Sequence, residues 1–252
     1  KADYVVVLDR DDSTAGISGW VTVNNRSGAS YGNASLKLVA GKVNTVADDA
    51  NLYEIAYKYK VLKEKAFVEQ SFFEYHLYDL QRKTTIKDNQ TKQIRLLDAT
   101  GVSVSKELLV YGVKTWFSMQ FMEVIPKQTV DVYVKFKNAK NNRLGMPLPG
   151  GVMRIYKADA SGSLQFAGED KVDHTPKDEE VRLKLGSAFD VTAERAQKDF
   201  KLIKATQASR AYETEWEVTL RNHKEQDVMV GIVEPLYGSW SVLKSSHPYK
   251  KI

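Results

Sequence analysis

The sequence contains no cysteine among its 252 residues. This absence excludes thiol nucleophiles, cysteine-ligated zinc, iron–sulfur clusters and disulfide bonds. It is compatible with a reducing compartment and also with an oxidising one, where the chain would offer no thiol to mispair.

Long apolar runs and the common catalytic motifs are also missing. No run reaches the ~18 apolar residues of a membrane-spanning helix, and no signal-peptide pattern is present. Neither a phosphate-binding glycine loop nor a G-x-S-x-G motif occurs. Because Lys1 leads directly into the strand-like "DYVVVLD", we expect that the chain has been processed or cut. The missing signal peptide therefore does not indicate a cytosolic protein.

Charge is balanced and dispersed. The chain has 37 basic and 32 acidic residues, for a net charge of +5, and no run of five or six lysines or arginines. Nucleic-acid-binding proteins usually carry a denser basic stripe, so we expect no nucleic-acid partner.

What the sequence does contain is period-two alternation. Three segments place apolar residues at every second position: Val130, Val132, Val134 and Phe136; Val181, Leu183 and Leu185; Trp216, Val218 and Leu220. Such alternation is typical of half-buried antiparallel strands. The apolar run 228–233 predicts a strand covered on both faces, and turn-forming residues separate the runs. We therefore predict an all-β protein of two antiparallel sandwich-like domains.

Two segments refine this prediction. Apolar residues recur at helical spacing in 51–67, and Asn51 can cap the first turn, so we expect one helix inserted in the first domain. The segment 189–202 fits either a strand or a short helix, and we favour a strand. A proline-containing link near 124–130 predicts domains at 1–125 and 126–252.

The acidic stretch "GEDKVDHTPKDEEVRLKLG" (168–186) permits two interpretations. Asp170, Asp173 and His174 are weak candidates for a metal site. However, the spacing is not that of a calcium loop, and the chain has only four histidines for a zinc site. We favour a solvated turn between two strands and expect no metal and no cofactor.

The segment 141–157 is locally unusual. Met146, Pro147, Leu148 and Pro149 precede two glycines and form an apolar stretch that is poor in hydrogen-bond donors. These four residues would either dock a partner or form an edge segment whose prolines block strand pairing. We favour the edge segment.

Catalysis is not indicated. No local arrangement of Ser, His and Asp points to a nucleophile, and we expect that the protein is not an enzyme. Paired carboxylates of a hydrolase would be set by the fold and cannot be read from spacing. Trp20, Trp116, Trp216 and Trp240 would either stack on sugars or fill the cores.

Several segments together resemble a known family. "SGWVTVNNRSGASYGNASLKLVAGKVN", "EYHLYDLQRKTTIKDNQTKQIRLL", "LGMPLPGGVMRIYK", "GEDKVDHTPKDEEVRLKLGSAFDV" and "WEVTLRNHKEQDVMVGIVEPL" occur in that order. Together they resemble a bacterial domain family of unknown function, related to the C-terminal domain of mucoidy inhibitor A proteins. The resemblance covers nearly the whole chain.

The resemblance implies a β-rich protein of the periplasm or cell envelope and supplies no catalytic residues. It also implies further strands after "SWSVLKSSHPY", so we expect that these strands are missing or that the last sheet has an open edge. An open edge invites pairing with another chain, including a second copy.

We therefore favour a non-enzymatic structural or interaction module with a protein or envelope polymer as its partner. A carbohydrate-binding module is the first alternative and a hydrolase is the second.

Overall fold

A computed structural model describes residues 1–40, 67–72, 75–121, 123–205 and 210–252. In these ranges the protein is all-β, as predicted. The strands in chain order are β1 (Ala2–Leu8), β2 (Thr14–Asn25), β3 (Tyr31–Ala34), β4 (Lys37–Ala40), β5 (Phe67–Phe72), β6 (Tyr75–Leu80), β7 (Thr84–Ile86), β8 (Gln90–Ser103), β9 (Ser105–Tyr111), β10 (Ile125–Gln128), β11 (Asp131–Lys137), β12 (Gly151–Ala158), β13 (Leu164–Val172), β14 (Glu180–Ser187), β15 (Val191–Ala205), β16 (Arg210–Asn222) and β17 (Val230–Val233). Two short 3-10 helices span Lys114–Ser118 and Lys140–Asn142.

The chain forms two compact units that are discontinuous in sequence. Unit 1 contains Lys1–Lys106 and Tyr133–Leu185, and unit 2 contains Glu107–Val132 and Gly186–Ile252. The predicted boundary at residue 125 therefore falls inside unit 2. The difference arises because strands far apart in sequence pair with each other, which a search for local linkers does not detect.

The main sheet of unit 1 has five strands in the order β13-β12-β1-β2-β8. Its central pair, β1 with β12, is parallel, and Ala2 lies opposite Gly151. The β1–β2, β12–β13 and β2–β8 pairs are antiparallel. The expectation of purely antiparallel sheets is thus wrong for the β1–β12 pair.

The core of unit 1 lies on the inward face of this sheet. Tyr4, Val6, Met153 and Ile155 are fully buried there, and the same cluster includes residues of β6, β11 and β14. Among them are Val134, Phe136, Val181 and Leu183. These four residues belong to the alternating runs, so the faces predicted for those strands are confirmed.

Unit 2 is built around a long antiparallel hairpin, β15–β16, with β10 on the other side of β15. β15 confirms the strand predicted for 189–202. The strands β9 and β17 pair in parallel at one end of the four-stranded sheet β14-β11-β9-β17. The buried core of the unit consists of Leu108, Val110, Val130, Val191 and Ala193.

Two further predictions have different outcomes. The run 228–233 is not covered on both faces, because Ile232 is 44% exposed and Met229 is 93% exposed. Its strand β17 is an edge strand of only four residues. The helix predicted for 51–67 lies outside the described residues except for Phe67, which begins β5. No helix in the described ranges has the length and apolarity needed to cross a membrane.

Candidate functional site

The acidic stretch forms the turn between β13 and β14, as the favoured interpretation predicts. The Asp170 carboxylate accepts backbone N–H groups from Lys171 at 2.8 Å and Lys184 at 2.7 Å. At Asp173, the backbone carbonyl accepts the Thr175 hydroxyl at 3.0 Å. The Nδ1 atom of His174 accepts the backbone N–H of Gly150 at 3.1 Å. The first three contacts are internal to the stretch, and the His174–Gly150 hydrogen bond ties the turn to the start of β12. In the described part of the chain, no three His, Asp or Glu side chains are grouped to hold a metal ion.

The segment Met146–Pro149 lies against this turn. Leu148 and Thr175 form an antiparallel bridge with N–H···O distances of 2.8 and 2.9 Å. Leu148 is 2% exposed and Pro147 is buried. These two central residues already pack inside unit 1, and the hypothesis that the segment docks a partner stays a prediction. Met146 and Pro149 are half-buried beside them.

Asn138 joins the two segments. It is 0% exposed, and its side-chain amide donates to the carbonyls of Met146 at 2.9 Å and Pro176 at 3.0 Å. Its side-chain oxygen accepts the Gly145 N–H at 3.0 Å. Both segments that stand out in the sequence therefore form one buried hydrogen-bonded junction.

A different cluster in unit 2 has the chemistry of a candidate site. Arg195 on β15 is 1% exposed. Its Nη1 atom pairs with Oε1 of Glu234 at 2.5 Å, and its Nε donates to Gln128 Oε1 on β10 at 3.1 Å. A buried charge requires compensation of this kind, because water no longer solvates it.

Aromatic rings surround the guanidinium group. Its central carbon lies 5.1 Å from the ring centroid of Trp116 and 5.9 Å from that of Trp216. The two indoles stack on each other, with centroids 5.8 Å apart and an interplanar angle of 25°. Phe117 and Phe121 pack against Trp216 at 6.1 and 5.7 Å. Cation–π contacts with the indoles favour the arginine charge.

The segment 113–121 carries three of these rings and covers Arg195. Gln197, two positions after Arg195 on β15, holds the end of the segment. Its amide donates to the Met119 carbonyl at 2.9 Å, and its oxygen accepts the Phe121 N–H at 2.7 Å. None of the residues in the 3-10 helix Lys114–Ser118 is fully buried. The cover is thus fixed at one end and partly open to solvent.

Two opposing effects act on the pKa of the Glu234 carboxyl. Burial raises the pKa of its carboxyl above the ordinary value, although the charge and hydrogen bond of Arg195 act to lower it. Three buried side-chain atoms in the described part of the chain have no hydrogen-bond partner: Arg195 Nη2, Trp216 Nε1 and Glu234 Oε2. All three belong to this cluster. Such unpaired buried groups are rare in native proteins.

Sequence reasoning missed Arg195 and Glu234. A signal was present, because Arg195 follows Val191 and Ala193 at alternate positions and both are buried. Continuing that alternation would have placed Arg195 on the inward face. No comparable pattern marks Glu234, which follows β17 as the chain leaves the strand.

Exposed apolar side chains are concentrated in unit 2. In the described part of unit 2, the large apolar residues with more than a third of their surface exposed are Tyr111, Val113, Met119, Val124, Phe189, Leu202, Ile203, Leu220, Met229, Ile232, Tyr237, Leu243, Tyr249 and Ile252. The corresponding residues described in unit 1 are Tyr31, Val39, Leu164 and Phe166. Phe189 and Met229 are each 93% exposed. Single exposed apolar residues are ordinary on a surface, whereas large contiguous exposed apolar areas mark interaction sites.

Comparisons with protein-family models, with curated proteins and with solved structures find no match to this chain.

Proposed function

We propose that this protein is a non-enzymatic interaction module of the bacterial cell envelope, and that unit 2 docks a protein partner. The compartment follows from the family resemblance of the sequence. The docking role is supported by the exposed apolar side chains of unit 2 and stands independently of the compartment.

The single observation that carries the docking role is the contrast between a small core and a large exposed apolar set. Five buried residues form the core of unit 2, while Phe189 and Met229 remain almost fully exposed. Apolar area gains free energy when it leaves water, at about 25 cal/mol per Å². A protein surface supplies the complementary apolar area better than a polar polymer does.

An unpaired strand edge adds to this surface. β16 has 13 residues and is the outer strand of its sheet among the described residues. A long edge of this kind offers backbone N–H and C=O groups to an incoming strand. Pairing of β16 with a second copy is one form that the docking would take.

The alternatives receive less support. A carbohydrate platform needs exposed rings side by side on one face, whereas Trp116 and Trp216 stack on each other. A glycosidase needs two carboxyl groups across a cleft, and the carboxylate at the buried cluster, Glu234, faces an arginine.

Site-specific photo-crosslinking in the cells that make the protein tests this proposal. A photoreactive phenylalanine analogue is placed at Phe189 or Met229 in unit 2. The matched control is Lys177, which is exposed in the turn of unit 1. We expect discrete adducts of defined mass from positions 189 and 229 and none from position 177. An adduct of twice the chain mass would identify a second copy as the partner. No adduct at 189 and 229, or the same adducts at 177, would contradict the proposal.

A further inference from the structure

The edge strand β16 carries a row of three glutamates. Glu213, Glu215 and Glu217 are exposed and occupy alternate positions of the strand, so their side chains lie on one face, about 6.5–7 Å apart. Glu217 pairs with Lys198 at 2.9 Å. The charges of Glu213 and Glu215 act on Lys201, which already pairs with another carboxylate of β15. Residues 211–219 include no lysine or arginine, so the edge that β16 leaves unpaired among the described strands is acidic.

This row disfavours the simplest dimer, in which β16 pairs with β16 of a second copy. Such a dimer has a two-fold axis, and an axis at any residue from 213 to 217 places at least one glutamate opposite a glutamate. Like charges directly opposite each other on paired strands are destabilising. The edge instead favours an incoming strand that brings basic side chains.

The segment 239–252 has the complementary charge. Its sequence, "SWSVLKSSHPYKKI", contains Lys244, Lys250 and Lys251 and no aspartate or glutamate. It belongs to unit 2, as β16 does. Every copy of the chain therefore carries both the acidic edge and the basic segment.

The backbone of this segment is open to pairing. It contains neither helix nor strand, and no backbone–backbone hydrogen bond joins it to the other described residues. Its side-chain hydrogen bonds are local, such as the one from the Ser245 hydroxyl to the His247 carbonyl at 2.6 Å. All residues of 239–247 can donate a backbone N–H, unlike Pro248. As a strand they would span about 30 Å, which fits along the 13 residues of β16.

We propose that segment 239–247 of one copy adds as a strand to the β16 edge of a second copy, with its lysines beside the glutamate row. Backbone hydrogen bonds hold the added strand, and the charges select it. The inference rests on the proposed function, because it names a second copy as the partner of unit 2. The contact joins two different surfaces, so the assembly closes as a ring or continues as an open chain.

Sedimentation velocity of the full chain over micromolar to millimolar concentrations tests the proposal. We expect the average mass to rise with concentration above the 28.5 kDa of one chain. High salt should reverse the rise, because the screening length falls from about 8 Å at 0.15 M to about 3 Å at 1 M ionic strength.

Charge reversal identifies the two surfaces. The edge variant carries Glu213→Lys, Glu215→Lys and Glu217→Lys. The segment variant carries Lys244→Glu, Lys250→Glu and Lys251→Glu. We expect each variant alone to associate at least tenfold more weakly than the unmodified chain. An equimolar mixture of the two should associate again, because each then meets the opposite charge on its partner.

The control variant makes the same change in net charge at exposed positions outside β16. It carries Asp11→Lys, Glu225→Lys and Asp227→Lys, and its association should match that of the unmodified chain. An equal loss in the control, or a mixture that does not recover, would overturn the proposal. The segment variant alters no strand, so it tests the proposal even if the edge variant does not fold.

The mass of a single chain at every concentration would also overturn the inference, including the case in which the segment pairs only within its own chain. Crosslinked adducts of another protein at positions 189 and 229 would then still support docking by unit 2. The two proposals therefore fail separately.

Discussion

The hydroxyl of Tyr78 on β6 donates a 2.7 Å hydrogen bond to the backbone carbonyl of Pro147. Tyr4 on β1 makes the equivalent bond to the carbonyl of Pro149, also at 2.7 Å. Proline has no backbone N–H to donate, so Pro147 and Pro149 can form backbone hydrogen bonds only through their carbonyls. The two tyrosines thus fix the proline segment to unit 1 through the carbonyl groups that it does offer.

Removing the Tyr78 hydroxyl tests this anchor. Tyr78→Phe leaves the Pro147 carbonyl buried without its donor, so we expect a loss of about 1–3 kcal/mol in the free energy of unfolding. Urea denaturation followed by circular dichroism measures it. Tyr31→Phe is the matched control, because Tyr31 is 48% exposed, and its effect should stay within about 0.5 kcal/mol. Equal effects of the two substitutions would show that the hydroxyl of Tyr78 is not an anchor.

The Asn138 junction should be more sensitive. Asn138→Leu keeps a similar volume but leaves the carbonyls of Met146 and Pro176 and the N–H of Gly145 without their hydrogen-bond partners. We therefore expect a loss of about 3 kcal/mol or more in the free energy of unfolding. Thermal unfolding reports it as a lower Tm. Asn24→Ala, at an exposed position of β2, should leave Tm nearly unchanged. A small effect of Asn138→Leu would mean that the junction does not hold the two segments together.

The buried ion pair predicts a non-additive result. Arg195→Met leaves Glu234 without its counter-charge, and we expect a loss of about 3 kcal/mol. Adding Glu234→Met removes the carboxylate that has lost its counter-charge, so the double variant should be more stable than Arg195→Met alone. The free energies of unfolding of all four proteins, measured in urea, form the cycle. Strict additivity would show that the two side chains are not coupled.

Asp159 predicts a specific acid titration. Hydrogen bonds from the side chains of Ser161 and Gln165 and from the N–H groups of Ser163 and Ser161 lower its pKa to about 2. Because the folded-state pKa lies below the unfolded one, this carboxylate stabilises the fold above about pH 4, and the effect is lost as the pH falls through about 2. Carboxyl ¹³C NMR measures the midpoint. Ser161→Ala should raise it towards the ordinary value, whereas Ser187→Ala, away from this loop, should not.

The exposed apolar residues of unit 2 should be dispensable for folding. Phe189→Ser with Met229→Ser is expected to change the free energy of unfolding by less than about 0.5 kcal/mol per site. Binding of a hydrophobic dye should fall, because these side chains are 93% exposed. Val110→Ser places a polar group in the buried core of the same unit and should be clearly destabilising. Strong destabilisation by the double substitution would indicate that Phe189 and Met229 pack inside unit 2.

Local patterns predicted the faces of the strands but not their partners. The alternation around Val134 and Leu183 identified the buried residues, since a strand places successive side chains on opposite faces. The prediction for the continuous apolar run at 228–233 failed at Met229 and Ile232, because such a run is equally compatible with a covered strand and with an exposed edge strand. The difference is decided by neighbouring strands from elsewhere in the chain.

The candidate site was harder to predict than the fold. Arg195 and Glu234 are 39 residues apart and meet only through the arrangement of β15 and the segment after β17. The acidic turn around Asp173 was a candidate metal site because its charged residues are close together in the sequence. Its residues instead make the local hydrogen bonds of an ordinary turn.

The parallel pairing of β1 with β12 has a consequence for synthesis of the chain. Ala2 must find Gly151, so β1 leaves the ribosome long before β12, its parallel partner, is made. At the usual rate of about 5–20 residues per second, that interval lasts roughly 7–30 seconds. During this time β1 can pair with β2 on one side only, and shielding its other edge from other nascent strands would be a natural task for a chaperone.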